Sequence, residues 1–344
     1  MTVALDLGCS EFRSYRRVGK RLIARRTPSL FCSAPDDDQI HDLASQSRIP
    51  YSLAENSLVF LGNAAVKIAP ELGRPLSPVF RNGHLPEQDP IARQVLSILI
   101  DTLLPPATHT DERCGVSIPA SAWRRQSFKT NFIHQLLCLR GYHPLLLNPA
   151  VALAISELAS SNMTGLTVVV GAESVAFAMM HRGRTVFHSQ YSKGFRTIGQ
   201  KFAAEFHQFV WDQNGTRFLD LEAASQLLPT LKTNSTDEPN SQQKWLAKSI
   251  FELLFSAWNA QYLRLCRELD DPIFRDELQV VYTGGPTQFE AFPDLLKAVF
   301  QTSPIPIRLG MCRPSQYAPY GVARGLLVHA ELDSSLIKLD RQSA

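Results

Sequence analysis

The stretch Val3–Phe31, "VALDLGCSEFRSYRRVGKRLIARRTPSLF", decides how the rest of the chain is read. An apolar run reaches Asp6 and turns through Gly8; an alternating strand then turns at Gly19 into another. Strand, turn, strand is expected from Thr2 to Ser33, a layout that can fold around a phosphate chain. The acidic triplet Asp36–Asp38 is expected to close the hairpin region.

The layout returns at Gly165–Ser192, "GLTVVVGAESVAFAMMHRGRTVFHSQYS", as an apolar strand, a Gly turn, a second strand and a hairpin at Arg182-Gly183. Two similar halves follow. Between them lie a mixed segment to Arg81 and an amphipathic helix Pro90–Leu104, with Ile91, Val95, Leu96, Ile98, Leu99 and Leu103 at helical spacing. Then come a strand in "CGVSIPASA" that stops at Pro119, a helix Trp123–Leu139, and "LLLNPAVALAISEL", a strand entering a helix whose first turn accepts Pro149. Residues 232–243 are polar and read as a loop. Helix Ile250–Leu269, strand "LQVVYTGGP", helix Phe289–Phe300, strand "IPIRL" and a last helix from Gly321 to about Leu332 complete an α/β alternation.

With 344 residues, 44% of them hydrophobic, the chain can bury a large core and is expected to form about two domains. Its 35 basic and 32 acidic residues leave a net charge of +3, too small to point to nucleic acid. The six cysteines have no C-x-x-C pair and the nine histidines have no ligand spacing, which argues against zinc or a disulfide framework. A reducing cytoplasm is the expected location. A strand starting at Val3 leaves no room for a signal peptide, and the longest apolar stretch, Pro144–Ile155, is too short to span a bilayer. The basic residues Arg13, Arg16, Arg17, Lys20, Arg21, Arg25 and Arg26 form either a solvated hairpin face or a docking surface for anionic lipid or an acidic partner. Trp123 beside Arg124 and Arg125 reads as helix-start packing.

A Gly after a strand is by itself ordinary turn chemistry, but Gly8, Gly171 and the pair Gly284-Gly285 occur in an order that would place one nucleotide between two halves. At these residues the chain resembles the actin-like ATPases and, among them, the bacterial cell-shape protein MreB. "LDLGCSEFRSYRRVGKRLIARRTPS" is similar to the first phosphate loop and hairpin of that family, and "FLGNAAVKIAPELGRP" to its G-N-x-A segment. "VSIPASAWRRQ" and "NPAVALAIS" resemble its two strand-to-helix elements, "VVGAES" its second phosphate loop, "YTGGP" its adenosine turn and "YGVARGLL" its closing helix.

The resemblance implies an actin-like two-lobed α/β fold, two ribonuclease-H-like halves around a nucleotide cleft. The expected first lobe is 1–144, with 31–80 inserted as a small subdomain and 320–344 completing it; the second is 145–319, with a small subdomain at about 181–245. Asp6, Gly8, Cys9, Ser10, Gly171, Ser174, Gly284 and Gly285 would line the nucleotide, ATP with Mg²⁺, and Asp6 would hold Mg²⁺ through water. Asn148 stands where the family has the Glu that positions the attacking water.

Departures from the family pattern weaken that chemistry. Glu11 puts a carboxylate beside the phosphates, Cys9 replaces a hydroxyl donor, Val169 replaces a metal-side Asp, and Ala172 and Glu173 replace glycines that let backbone N–H groups approach phosphate. The implied function is cell-shape control by a cytoskeletal protein with weakened ATP binding and little or no hydrolysis. It would associate with itself or another MreB-like subunit as a filament, with inner-membrane morphogenesis proteins and an anionic membrane surface as further partner classes. An active ATP-hydrolysing filament protein is the alternative, with Asn148 orienting water. A chaperone-like or sugar-kinase relative is expected to fit less well, because the G-N-x-A segment favours MreB.

Overall fold

Alternation along the first strand sets the layering of the computed structural model: Val3, Leu5 and Leu7 enter one core and Ala4 another, on the opposite side of the sheet. The structure describes the chain apart from residues 1, 55, 87–88, 110–111, 120–130, 212–214, 233–238, 266, 268–276, 305–306 and 344, and apart from the side chains of 262 and 336–343.

In chain order the first half holds β1 (Val3–Leu7), β2 (Glu11–Val18), β3 (Arg21–Pro28), β4 (Leu30–Pro35), α1 (Asp38–Gln46), β5 (Tyr51–Ala54), β6 (Ser57–Leu61), α2 (Asn63–Ile68) and β7 (Ser77–Pro78). It continues with α3 (Pro90–Leu103), β8 (Glu112–Ser117), α4 (Phe132–Leu139) and β9 (Tyr142–Leu146), and α5 (Pro149–Glu157) leads out of it. The second half holds β10 (Gly165–Val170), β11 (Val175–His181), β12 (Arg184–Tyr191), α6 (Phe195–Glu205), β13 (Phe209–Trp211), β14 (Arg217–Leu219), α7 (Ala223–Leu227), α8 (Ser241–Asn259) and α9 (Tyr262–Leu265). Last come β15 (Glu277–Thr283), α10 (Phe292–Thr302), β16 (Arg308–Pro314) and α11 (Gly321–Ser343).

The repeat seen in the sequence is a repeat of sheets. One has the order β3-β2-β1-β8-β9, the other β12-β11-β10-β15-β16. In each, the central strand takes an antiparallel hairpin on one side and a parallel strand on the other. The outer face of the first sheet packs on α3 and α4, and that of the second on α6, α8 and α10. Between the inner faces lie α5 and α11, which share a core with Ala4, Met180 and Val281. The two helices approach so closely that a Cβ on Gly325 would lie 1.7 Å from the Ala152 carbonyl oxygen, so only glycine fits there. A smaller sheet, β5-β6-β4-β7, carries its own core with α1 and α2, and β13 pairs with β14 alone.

Several local expectations are corrected. The opening segment is four strands, and β4 leaves the hairpin for the smaller sheet. Asp37 of the acidic triplet caps α1 by accepting from the Gln39 N–H. The loop expected to Gln243 ends earlier: Asn240 and Gln243 form a reciprocal capping box that starts α8 at Ser241, nine residues before the expected Ile250, and the helix stops at Asn259. The strand expected at "IPIRL" is β16, shifted to Arg308–Pro314; it is a half-exposed edge strand, so its apolar pattern is weak. Helix α11 runs on to Ser343 because no Gly or Pro interrupts the chain after Leu332. The helix expected from Trp123 is described only as Phe132–Leu139, and Trp123, Arg124 and Arg125 lie outside the described residues.

Candidate functional site

Each central strand ends in a tight turn closed by the same bond: the Gly8 N–H donates to the Glu11 carbonyl (3.2 Å), and the Gly171 N–H to the Ser174 carbonyl (2.8 Å). This equivalence places Asp6 and Val169 at matching positions, two residues before the glycine and on the inner face. Their parallel neighbours match as well, Asp6 beside Ser117 and Val169 beside Thr283. The "YTGGP" turn joins the second loop through Gly284, which has φ 130° and would carry a Cβ 1.9 Å from the Val170 carbonyl oxygen. Gly285 has open space around it.

The carboxylate of Asp6, 7% exposed, already has protein partners. Its Oδ1 accepts from Ser117 Oγ at 2.5 Å and its Oδ2 from Arg13 Nη1 at 3.4 Å. Glu11 does not face the turn unpaired, since its Oε2 accepts from Arg13 Nε at 2.8 Å and its Oε1 lies 3.7 Å from Arg26 Nη1. Ser10 is exposed, and its carbonyl accepts from the Ser29 N–H at 3.0 Å. Ser174 Oγ accepts from Gln190 Nε2 at 3.3 Å.

Asn148, 5% exposed, is the N-cap of α5. Its Oδ1 accepts from the N–H groups of Ala150 (2.9 Å) and Val151 (3.4 Å), and its Nδ2 donates to the Ser189 carbonyl (3.2 Å). The sequence showed the Asn-Pro start of a helix, but not that the side-chain oxygen would be taken up by it.

Arg196, in the first turn of α6, carried no sequence signal. Its Nε lies 2.5 Å from Glu173 Oε1 without aligned hydrogen-bond geometry, and its Nη2 donates to the Cys9 carbonyl at 3.3 Å. It therefore ties the second loop to the first. The side chain of Ala172 packs on the core of the first half, closing the same seam. Burial raises the pKa of Glu173, while Arg196 opposes the rise. Burial, then Glu173, also pushes the Cys9 thiol far above its ordinary value, so it stays protonated.

These residues do not fit a Mg²⁺–triphosphate of the ordinary actin-like kind. The second loop has apolar Val169 at the position where the first has Asp6, Asp6 is paired with a guanidinium, and Glu173 puts a carboxylate in the second loop. Among the described residues no group of three or more His, Cys, Asp or Glu could hold a metal ion, and no helix is long and apolar enough to cross a membrane.

The basic hairpin is partly compensated. Arg17 pairs with Glu331 of α11 at 2.7 Å, and Arg25 Nη1 donates to the Thr102 carbonyl at 2.9 Å. Lys20 and Arg21 stand exposed at the turn with no acidic partner among the described residues, beside exposed Val18 and Leu22.

The architecture is shared with solved actin-like filament proteins. A MamK double helical filament is 12% identical, covering 96% of this chain and 99% of that chain at a TM-score of 0.66. MreB5 of Spiroplasma citri bound to AMPPNP is 13% identical, covering 98% of each chain at 0.64, and a non-polymerising MamK mutant bound to AMPPNP is 12% identical, covering 96% and 98% at 0.57. The fold is thus the actin-like two-lobed fold expected from the sequence. No curated protein matches the chain. The Volactin family matches residues 1–330, across both repeated halves and α5, and so the chain belongs to the Volactin family.

Proposed function

We propose that this protein is a cytoskeletal subunit of the actin-like kind that assembles with copies of itself, binds ATP weakly and hydrolyses little or none of it. The two sheets, with α5 and α11 between them, form one stacking unit, and head-to-tail contacts between such units propagate as a filament. The likeness to a MamK filament and to MreB5 supports assembly. The observation that carries the loss of hydrolysis is the engagement of Asp6 and Asn148. One is bonded to Ser117 and Arg13, and the other uses its oxygen to cap α5. A carboxylate held by a guanidinium is a poor metal ligand, and an amide oxygen held by two N–H groups is poorly placed to orient water.

The lobes are 1–144 with 320–344, and 145–319, and the protein works in the cytoplasm in cell-shape control. Its basic hairpin, with Lys20, Arg21, Val18 and Leu22 at the tip, docks on anionic membrane. Partners would then be other copies of the chain and membrane-bound morphogenesis proteins. Pelleting and negative-stain electron microscopy of the purified chain, with EDTA or with Mg-ATP, test the assembly, with phosphate release measured in the same samples. Polymer in both conditions with background phosphate release is expected. Phosphate release that tracks polymer mass would instead favour an active filament ATPase.

A further inference from the structure

The seam between the Gly8 and Gly171 loops contains an ion pair that neither loop needs for its own turn. Helix α6 is fixed to the second loop by its backbone, since the Phe195 N–H donates to the Gly171 carbonyl (3.1 Å) and the Arg196 N–H to the Ala172 carbonyl (2.9 Å). The Arg196 guanidinium therefore starts from a fixed point at the seam between the loops. A guanidinium has five N–H donors in a planar fork suited to carboxylate or phosphate. One of them reaches the Cys9 carbonyl, and the Nε edge meets the Glu173 carboxylate at 2.5 Å without alignment. Glu173, with a side chain only 10% exposed, is an anion held close to this fork but poorly aligned with it.

Resting on the reading that the cleft between the loops is the ligand cleft, we propose that Arg196 is an anion receptor whose resident counter-ion is the chain's own Glu173. A phosphate-bearing ligand binds by exchanging with that carboxylate, without a divalent cation. Glu173 is then an internal stand-in for phosphate. With Arg196 and the Ala172 contact it holds the two loops together when no ligand is bound. The exchange forms and breaks no covalent bond. The carboxylate leaves the guanidinium, and a phosphoryl group takes its place.

Calorimetric titration of the full chain with sodium pyrophosphate and with ATP, in EDTA and in Mg²⁺ at constant ionic strength, tests the exchange. For the wild type, weak pyrophosphate binding that persists in EDTA is expected, and binding seen only with Mg²⁺ overturns the proposal. In Glu173→Gln the competing charge is gone, and pyrophosphate affinity should rise about 10- to 100-fold. In Arg196→Gln binding should disappear while the thermal transition and circular dichroism show a folded chain. An unchanged affinity in folded Glu173→Gln, or wild-type affinity in folded Arg196→Gln, overturns it as well. If a variant does not fold, the wild-type comparison of EDTA with Mg²⁺ still decides. No step requires polymer, so a failure to assemble would count against the proposed function and leave this inference standing.

Discussion

Replacing Asn148 by alanine separates a structural role from a catalytic one. The side chain caps α5 by accepting from Ala150 and Val151 and donates one buried hydrogen bond to Ser189. Losing an N-cap of this kind costs about 1 kcal/mol, and losing a buried side-chain hydrogen bond costs about another 1 kcal/mol. Asn148→Ala should therefore lower stability by about 2 kcal/mol, roughly a thirtyfold fall in the folded-to-unfolded ratio. Asn148→Asp keeps the cap acceptor and loses the donated bond, so it should fall between the wild type and the alanine variant. Urea unfolding followed by circular dichroism reads the loss, with basal phosphate release measured alongside. An alanine variant as stable as the wild type that loses a clear basal phosphate release would refute the reasoning and assign Asn148 to the chemistry.

Charge reversal at the hairpin tip, Lys20→Glu with Arg21→Glu, should weaken binding to anionic liposomes, read by co-sedimentation, by at least about 30-fold, from about 1 kcal/mol per basic group lost; unchanged co-sedimentation counts against membrane docking. Restoring the second loop with Val169→Asp, Ala172→Gly and Glu173→Gly should tighten Mg-ATP binding, at a cost of a few kcal/mol for a carboxylate on the half-buried inner face. Thermal unfolding with and without Mg-ATP checks it, and a folded triple variant with no ligand-induced shift contradicts it. Adding Asn148→Glu should help little, because the cap is lost. His329 on α11 has its pKa lowered by burial, with Asp333 opposing. Below about pH 6.5 the unfolded chain then binds more protons than the folded one, so stability should fall as pH drops from that value toward the folded pKa. Urea titrations at several pH values should show this fall, and His329→Gln should reduce it, leaving the share of His188, whose pKa burial and then Arg264 also lower.

What was legible in the sequence was what local pattern specifies. The apolar runs "VALDL" and "GLTVVV", each followed by a glycine turn, identified both central strands. The start of α8 was hidden because its capping box, Asn240 with Gln243, lies inside a polar run that reads as loop. Strand β16 was misplaced because an edge strand exposed along half its length carries little apolar periodicity. The seam itself could not be read, since Arg196 meets Glu173 and Cys9 only after folding brings together positions 23 and 187 residues apart. Arg13 on Asp6 and Ser117 on Asp6 are likewise products of strand pairing, and they turn a presumed metal ligand into one side of an internal network.

The most direct test of the central claim follows light scattering and phosphate release together in one cuvette of the purified chain, with Mg-ATP against EDTA. The account predicts the same scattering plateau in both and phosphate release indistinguishable from buffer. Assembly that needs Mg-ATP, with about one phosphate released per subunit incorporated, would contradict it.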